Sequence, residues 1–341
     1  MLQRYSRQVL FSGIGEQGQK AIMGKNAVLV GCGALGCISA NLLVRSGINC
    51  LKIIDRDFIE ESNLQRQLLF DEDDIKQNLP KSIAAQIKLQ KVNSHIQIEP
   101  VVVDLNPSNI EILLKKADVV IDGTDNFETR FLINDYCVKE GIPWIYGACI
   151  GSTGISMNII PSKTPCFRCL LENIPPSGTT ETCDTQGIIA PIASVIASIQ
   201  VAEALKILSN NVNALSKDLV KIDLWRNEIT RIHISTSDVN ADCMTCKQHN
   251  YEFLNKKKYT MTTSLCGRNA VQILNLNGSK LDLPGLASLL EKIGDVSFNN
   301  FLLRLKLDKY ELTIFPDGRS IISGTNDVSI AKGLYAKYIG M

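Results

Sequence analysis

A strand that runs into a glycine-rich turn constrains this chain more than any other feature. Ala27 to Val30 is an apolar run suited to a fully buried parallel strand, and Gly31, Gly33 and Gly36 follow it as G-x-G-x-x-G. Ala34 to Ser46 then continues as a helix. The first two glycines let the backbone turn tightly and approach a phosphate, and the third lets helix and strand pack closely. An anion seated there meets unpaired N–H groups and the positive end of the helix dipole. A second strand, Cys50 to Ile54, delivers Asp55 to the place where an acid binds ribose hydroxyls. Taken alone, this predicts a nucleotide or dinucleotide site and does not separate NAD or FAD from other nucleotides.

The residues after Asp55 narrow the choice. Asp57, Asn63, Gln65, Arg66 and Gln67 come in quick succession, and Pro80-Lys81 follows an acidic loop. A nicotinamide enzyme needs no such polar block, whereas a triphosphate must have its charge neutralised and its reacting phosphorus oriented. Each of these residues alone could belong to a solvated loop; together they point to a phosphate site.

Composition restricts the rest. With 45% hydrophobic and 21% charged residues and a net charge of +1, the 341-residue chain reads as an ordinary globular protein of one large and one small domain. It shows no basic footprint for nucleic acid and no strong attraction to a membrane surface. Met1 to Gln8 is polar, so no signal segment is expected, and eleven cysteines then suit metal or reactive-thiol roles in a reducing cytoplasm. The longest apolar stretch, Gly187 to Leu208, is broken by Gln200, Glu203 and Lys206 and is expected to be a buried helix starting near Gly187.

Short apolar strands alternate with helices at Lys81 to Val92, Ile96 to Val103, Asn109 to Lys116 and Asp118 to Asp122, which predicts a doubly wound, Rossmann-like α/β sheet. Asp125 then emerges at the carboxyl end of a strand, where such sheets hold ligands and where a carboxylate can carry Mg²⁺ against phosphates. The competing expectation is that Thr124 or Asp125 caps a helix over Asn126 to Val138. Gly151 to Ile160 reads as further sheet, joined by a hairpin of Leu219 to Trp225 and Glu228 to Ile234. Cys166-x-x-Cys169 and Cys243-x-x-Cys246 supply four thiolates at tetrahedral-zinc spacing, and their separation implies a closed structural site pinning two distant segments. His249 is a weaker candidate ligand. Cys183, in a polar loop before a helix, is placed to be a reactive thiol.

Lys256 to Lys258 marks a solvated linker between domains expected at 1–255 and 260–341. The second is expected to be a small α+β module. Its hairpin runs over Phe301 to Leu307 and Tyr310 to Phe315, Ser320 to Ser323 pairs back, and a closing helix over Asn326 to Tyr338 is capped by Thr325 or Asn326. Cys266 is expected to face a core.

Arg4-Tyr-Ser-Arg-Gln8, the glycine loop, Asp55-x-Asp57, Ser62-Asn-Leu-Gln-Arg-Gln67, Leu79-Pro-Lys81, Thr124-Asp-Asn126, Thr182-Cys183 and the two cysteine pairs occur in order over residues 1 to 250. The chain thereby resembles the ThiF/MoeB/HesA family, the bacterial relatives of ubiquitin-activating enzymes; the C-terminal module resembles an extension found on some members. The resemblance implies an adenylyltransferase that activates the Gly-Gly carboxylate of a small ubiquitin-like sulfur carrier with ATP and Mg²⁺, for thiamine or molybdopterin synthesis. It implies nucleotide contacts from Gly31, Gly33, Ala34, Gly36, Asp55, Asp57, Asn63, Gln65, Arg66, Lys81, Asp125 and Asn126. It also implies that Arg7 reaches into the other subunit of a homodimer, that Cys183 lies in a loop over the carrier's tail, and that a persulfide donor such as a cysteine desulfurase supplies sulfur. An NAD-dependent oxidoreductase would leave the arginine block and the cysteine pairs unexplained. A non-catalytic scaffold would not need every phosphate-facing residue.

Overall fold

The structure, a computed structural model, describes residues 2–175, 183–234, 242–255, 262–265, 269–274 and 281–340. The chain divides into two compact units, Met1–Lys256 and Lys257–Met341.

After a 3-10 turn over Leu2–Tyr5, the first unit continues with two short helices, α1 (Ser6–Leu10) and α2 (Gly15–Ile22). There follow β1 (Asn26–Val30), α3 (Ala34–Ser46), β2 (Cys50–Ile54), α4 (Glu72–Lys76), α5 (Lys81–Val92) and β3 (Gln97–Val101). Next come α6 (Ile110–Leu114), β4 (Val119–Asp122), α7 (Phe127–Glu140), β5 (Trp144–Ile150) and β6 (Thr153–Ile159). Two short helices, α8 (Phe167–Leu170) and α9 (Cys183–Gln186), precede α10 (Ala190–Leu208), β7 (Asp218–Asp223) and β8 (Glu228–His233).

The eight strands form one mixed sheet in the order β3-β2-β1-β4-β5-β6-β7-β8. β3 to β5 are parallel, and each pair from β5 to β8 is antiparallel. The chain leaves β1 towards β2 and β3 on one side, then returns to build β4 on the other. The order therefore reverses beside β1, which is where open sheets of this kind leave a crevice. In register, Val30 lies opposite both Ile54 and Asp122, so Gly31, Asp55 and Gly123 leave the sheet at one level.

β1 is buried from Ala27 to Val30 and β4 is buried throughout, as strands covered on both faces must be. α10 packs on α3, β4, β5 and β6. By length and composition alone it could cross a membrane, yet Gln200 and Glu203 are buried on it. Gln200 Nε2 donates to the carbonyls of Asp122 and Ile145 at 2.8 and 3.0 Å. The helix starts at Ala190, three residues later than the apolar pattern predicts. Gly187 has φ +70°, and Gly151 and Ile188 form a β-bridge that holds this segment extended. α6 is also shorter than expected, ending before Lys116 at φ +70°.

Among the described residues the second unit is a six-stranded sheet, all pairs antiparallel, with two helices. Its elements are β9 (Thr262–Leu265), β10 (Ala270–Ile273), α11 (Leu283–Leu290), β11 (Asp295–Phe298), β12 (Leu303–Lys306), β13 (Glu311–Ile314), β14 (Ser320–Ser323) and α12 (Val328–Tyr338). The order is β11-β12-β13-β14-β10-β9. Val271, Leu303, Leu305, Leu312, Ile314 and Ile322 form its core with Leu283, Ala287 and Leu290 of α11 and Ala331 and Tyr335 of α12. The cap of α12 is Asp327, whose carboxylate accepts from the Ser329 and Ile330 amides, not Thr325 or Asn326. Thr325 Oγ1 instead accepts from the Asp327 amide.

Candidate active site

The glycine loop is built by close backbone approach. Gly31 has φ +86°, and a Cβ there would lie 2.5 Å from the carbonyl oxygen of Gly123. A Cβ on Gly36 would lie 2.1 Å from the Gly31 carbonyl oxygen. Gly33 differs: a Cβ there would have only Gln67 Nε2 near it, at 3.9 Å. Gly33 is the N-cap of α3, so the open space lies over the first-turn N–H groups of Ala34, Leu35 and Gly36, which have no helical partner. A helix start of this kind is suited to an anion.

Asp55, 9% exposed, is tied to this loop. Its Oδ2 accepts from the Cys32 amide at 2.6 Å, and its Oδ1 from the Asp57 amide at 2.7 Å. Burial raises the Asp55 carboxyl above the ordinary aspartate range, against the pull of the Lys81 ammonium. Lys81 is itself 3% exposed and lies 3.3 Å from Asp57 Oδ2. A Phe58–Pro80 bridge and the Lys81 amide on the Asp57 carbonyl hold the two segments together. A buried cation beside two carboxylates at the carboxyl edge of the sheet is thus fixed by backbone pairing.

Asn63 is buried, and its Oδ1 accepts from the Glu60 amide at 3.1 Å. Arg66 is half-buried and donates to the Ser62 carbonyl at 2.8 Å, while Gln65 is exposed. Gln67 is buried, and its Oε1 has no partner. The end of Gln67 that approaches Gly33 is the amide nitrogen, Nε2 lying 3.9 Å from where a Cβ would sit, so the side chain turns a donor towards the start of α3.

On the other side of the crevice, Asp122 is fully buried and organises the turn after β4. Its Oδ1 accepts from the Thr124 amide and hydroxyl at 2.8 and 2.6 Å. Its Oδ2 accepts from Arg130 Nε at 3.1 Å, and Arg130 Nη2 donates to the Thr124 carbonyl at 2.5 Å. Burial raises the Asp122 carboxyl, opposed by Arg130. Asn126 caps α7, its Oδ1 accepting from the Thr129 amide at 2.8 Å. The expected cap of Thr124 or Asp125 is therefore corrected. Thr124 is held by Asp122, and Asp125 is left exposed, within electrostatic reach of Arg56 and Arg130 and in no hydrogen bond or ion pair among the described residues.

Asp122 and Arg130 were not foreseen as site residues. The available signal was Asp122 at the end of a wholly apolar strand, since a carboxylate there must find a cation.

Arg7 is exposed on α1, which packs on α2, and no ion pair or hydrogen bond ties it to its own glycine loop among the described residues. Cys183 opens α9, but its side chain lies outside the described residues, as do Thr182, Cys266 and Lys256 to Lys258.

The four expected cysteines converge. Cys166 Sγ lies 3.6 Å from that of Cys169 and 3.7 Å from that of Cys243, and the Cys169–Cys246 separation is 3.4 Å. All four sulfurs lie within 4.8 Å of one another. A tetrahedral ZnS₄ centre with bonds of about 2.3 Å has sulfur–sulfur edges of about 3.8 Å, so the cluster has the right size. Hydrogen bonds within the cluster draw the thiols of Cys243 and Cys246 down and push those of Cys166 and Cys169 up; a bound metal would take all four as thiolates. His249 stands outside the cluster, exposed, with Nδ1 3.2 Å from the Tyr251 hydroxyl.

Comparison with known proteins places this architecture. The ThiF family description matches residues 5–245. The chain is 43% identical to the sulfur carrier protein ThiS adenylyltransferase of Bacillus subtilis over 341 residues, all of both chains. It is 34% identical to the SAMP-activating enzyme E1 of Haloferax volcanii over 72% of this chain and 88% of that one. A crystal structure of E. coli MccB with ATP superposes with a TM-score of 0.62 at 25% identity, covering 71% of this chain and 74% of that one.

Proposed function

Because this chain belongs to the ThiF family, we propose that it is an ATP-dependent adenylyltransferase for a small ubiquitin-like sulfur-carrier protein ending in Gly-Gly. The likeness to a ThiS adenylyltransferase along the whole of both chains makes a carrier of the thiamine pathway the first candidate, ahead of a molybdopterin carrier. The observation that carries the reading is the crevice itself: a helix start suited to an anion at Gly33, a buried lysine and an exposed aspartate on opposite sides of the sheet's reversal point.

The carrier's terminal carboxylate oxygen forms a bond to the α-phosphorus of ATP. The bond from that phosphorus to the bridging oxygen breaks, and pyrophosphate leaves with the electron pair. The nucleophile is already ionised at neutral pH, so positioning and charge neutralisation suffice without a general base. This agrees with a crevice that holds no histidine among the residues named for it.

In this reading Gly31, Gly33, Ala34 and Gly36 seat the phosphates, and Asp55 holds the ribose with the lone pairs its two N–H bonds leave free. Asp57 keeps Lys81 in place. Asn63, Gln65, Arg66 and Lys81 orient the triphosphate, joined by Gln67. Asp125 beside Asn126 holds Mg²⁺, which neutralises charge on the phosphates, and Arg7 of a second subunit completes the site of a homodimer. Cys166, Cys169, Cys243 and Cys246 hold a structural Zn²⁺. The Cys183 sulfur bonds to the acyl-adenylate carbonyl as AMP leaves with the electron pair, giving a thioester to the carrier; the terminal sulfur of a persulfide donor such as a cysteine desulfurase then attacks that carbonyl, forming an acyl-persulfide linkage and releasing the Cys183 thiol.

Carrier-dependent exchange of labelled pyrophosphate into ATP tests the assignment. Exchange with a Gly-Gly-tailed carrier and none with a carrier lacking the last glycine is expected. Absence of exchange with every carrier, together with NAD-dependent redox turnover, would overturn it.

A further inference from the structure

One helix of the first unit touches both the four-cysteine cluster and the turn that carries Asp125. We infer that α7 couples them, with Asn134 and Asp135 as positioning residues through which the cysteine site sets the Thr124–Asp125 turn. The inference rests on the reading of Asp125 as the Mg²⁺-facing carboxylate and of the cysteines as a zinc site.

At its N-terminal end α7 is clamped to the turn: Asn126 caps it, and Arg130 joins Asp122 to the Thr124 carbonyl. One turn further on, the helix is clamped to both cysteine loops. Asn134 Oδ1 accepts from the amide of Phe167, between Cys166 and Cys169, at 2.8 Å. Asp135 Oδ1 accepts from the hydroxyl of Thr245, between Cys243 and Cys246, at 2.9 Å. Asp135 Oδ2 accepts from the Phe253 amide at 2.8 Å.

Both side chains are completely buried, so neither bond is a surface accident. The amide nitrogen of Asn134 is buried without a partner; the position contributes through its acceptor, at the cost of an unsatisfied N–H. Arg130 and Asn134 are four residues apart, on one face. Arg130 and Asp135 are about 7.5 Å apart along the axis, a distance over which an α-helix is rigid.

Side-chain packing follows the same line. Phe131 stacks on Phe253 at 4.8 Å and meets Phe167 edge-on at 5.2 Å. Phe167 also lies 5.0 Å from Tyr146, whose ring carries the Arg130 guanidinium at 5.3 Å. A shift of either cysteine loop therefore displaces α7, and with it the groups that hold the turn. Outer partners of this kind typically alter metal affinity or activity by about 10- to 100-fold.

The test uses the full chain loaded with zinc, the variants Thr245→Val and Asp135→Asn, and calorimetric binding of α,β-methylene-ATP with and without Mg²⁺. Neither variant replaces a cysteine, and each is checked for one zinc per chain and a native circular-dichroism spectrum. The expected result is a loss of at least about fivefold in the Mg²⁺-dependent part of nucleotide affinity, with Mg²⁺-free binding little changed. A merely structural role would lower the melting temperature and leave the ratio of the two affinities at the wild-type value. Should Thr245→Val fail to retain zinc, Asp135→Asn carries the same measurement. Asp125→Ala separates the two readings. If it keeps the Mg²⁺ dependence, the assignment of Asp125 is wrong and this inference falls with it. If it loses that dependence while both other variants keep theirs, the coupling alone is overturned.

Discussion

The amide of Cys32, inside the glycine loop, donates to Oδ2 of Asp55 at 2.6 Å across 23 residues of sequence. The acid expected to face a ribose thus also fixes the glycine loop, and it does so while buried.

That burial has a pH signature. The folded Asp55 carboxyl titrates above the ordinary aspartate value, which is about 3.9. In the window above that value the folded state holds more protons than the unfolded state, so Asp55 contributes stability that is lost as pH rises through the folded value. Asp55→Asn should remove this component. Urea midpoints of wild type and variant, measured from pH 4 to 7, should differ by an amount that shifts against the wild type as pH rises and then levels. Parallel curves would contradict a raised Asp55.

The glycines separate structure from binding. A methyl at Gly36 meets the Gly31 carbonyl at 2.1 Å, so Gly36→Ala should destabilise the fold by about 1–3 kcal/mol and abolish ATP binding. A methyl at Gly33 meets no protein atom within 3.9 Å. Gly33→Ala should therefore keep the wild-type melting temperature while weakening ATP at least about tenfold by occupying the phosphate's place. Equal effects of the two on melting temperature would refute the assignment of the open space.

The cysteine cluster predicts its own stoichiometry. Elemental analysis should give about one zinc per chain with Zn–S bonds near 2.3 Å. Cys166→Ser or Cys243→Ser should lower thermal stability and, through the bonds of α7 to both cysteine loops, the Mg²⁺-dependent part of nucleotide affinity, while Mg²⁺-free binding changes little. A chain that purifies folded and free of zinc, and takes none up, would rule the site out.

What the sequence could and could not reveal divides along a physical line. β1, the glycine loop and Asp55 were legible because a doubly covered strand is a continuous apolar run and its turn needs glycine. The cysteine pairs were legible because four thiols converge only for a reason. The cap of α7 was not: Thr124, Asp125 and Asn126 can all cap, and the choice was made by the Asp122 carboxylate, which takes the Thr124 amide and hydroxyl. Arg130 went unseen because its partners meet it only in three dimensions. In the second unit α11 was not foreseen: Pro284 and Gly285 interrupt its apolar run, although proline is tolerated in a first helical turn.

That division of labour at the β4 edge is measurable. Asn126→Ala removes the bond to the Thr129 amide and should cost about 0.5–2 kcal/mol of stability while leaving pyrophosphate exchange within a few-fold. Asp125→Ala should do the reverse, abolishing exchange with an unchanged melting temperature. If Asp125→Ala destabilises and Asn126→Ala abolishes exchange, the roles are exchanged.

The proposed sharing of sites is tested by mixing inactive chains. Arg7 is exposed on α1 and bonded to nothing in its own glycine loop among the described residues, whereas α1 is anchored by its neighbours. The Asn93 side-chain amide donates to the Tyr5 hydroxyl, and Gln8 Nε2 donates to the Ser46 carbonyl. A guanidinium held outward on a fixed helix can neutralise phosphate charge in another subunit through its forked donors. Arg7→Ala and Asp125→Ala should each be inactive alone. In a mixed dimer one site carries both substitutions, and the other carries neither if Arg7 acts in trans. Random exchange at equal concentrations makes half of the dimers mixed, each with one intact site, so about a quarter of wild-type activity should return if the sites work independently. If Arg7 acts in cis, every site in the mixture retains one substitution and activity stays at the level of the single variants. No recovery, with subunit exchange verified by mass spectrometry of differently tagged chains, would place Arg7 outside the partner's site.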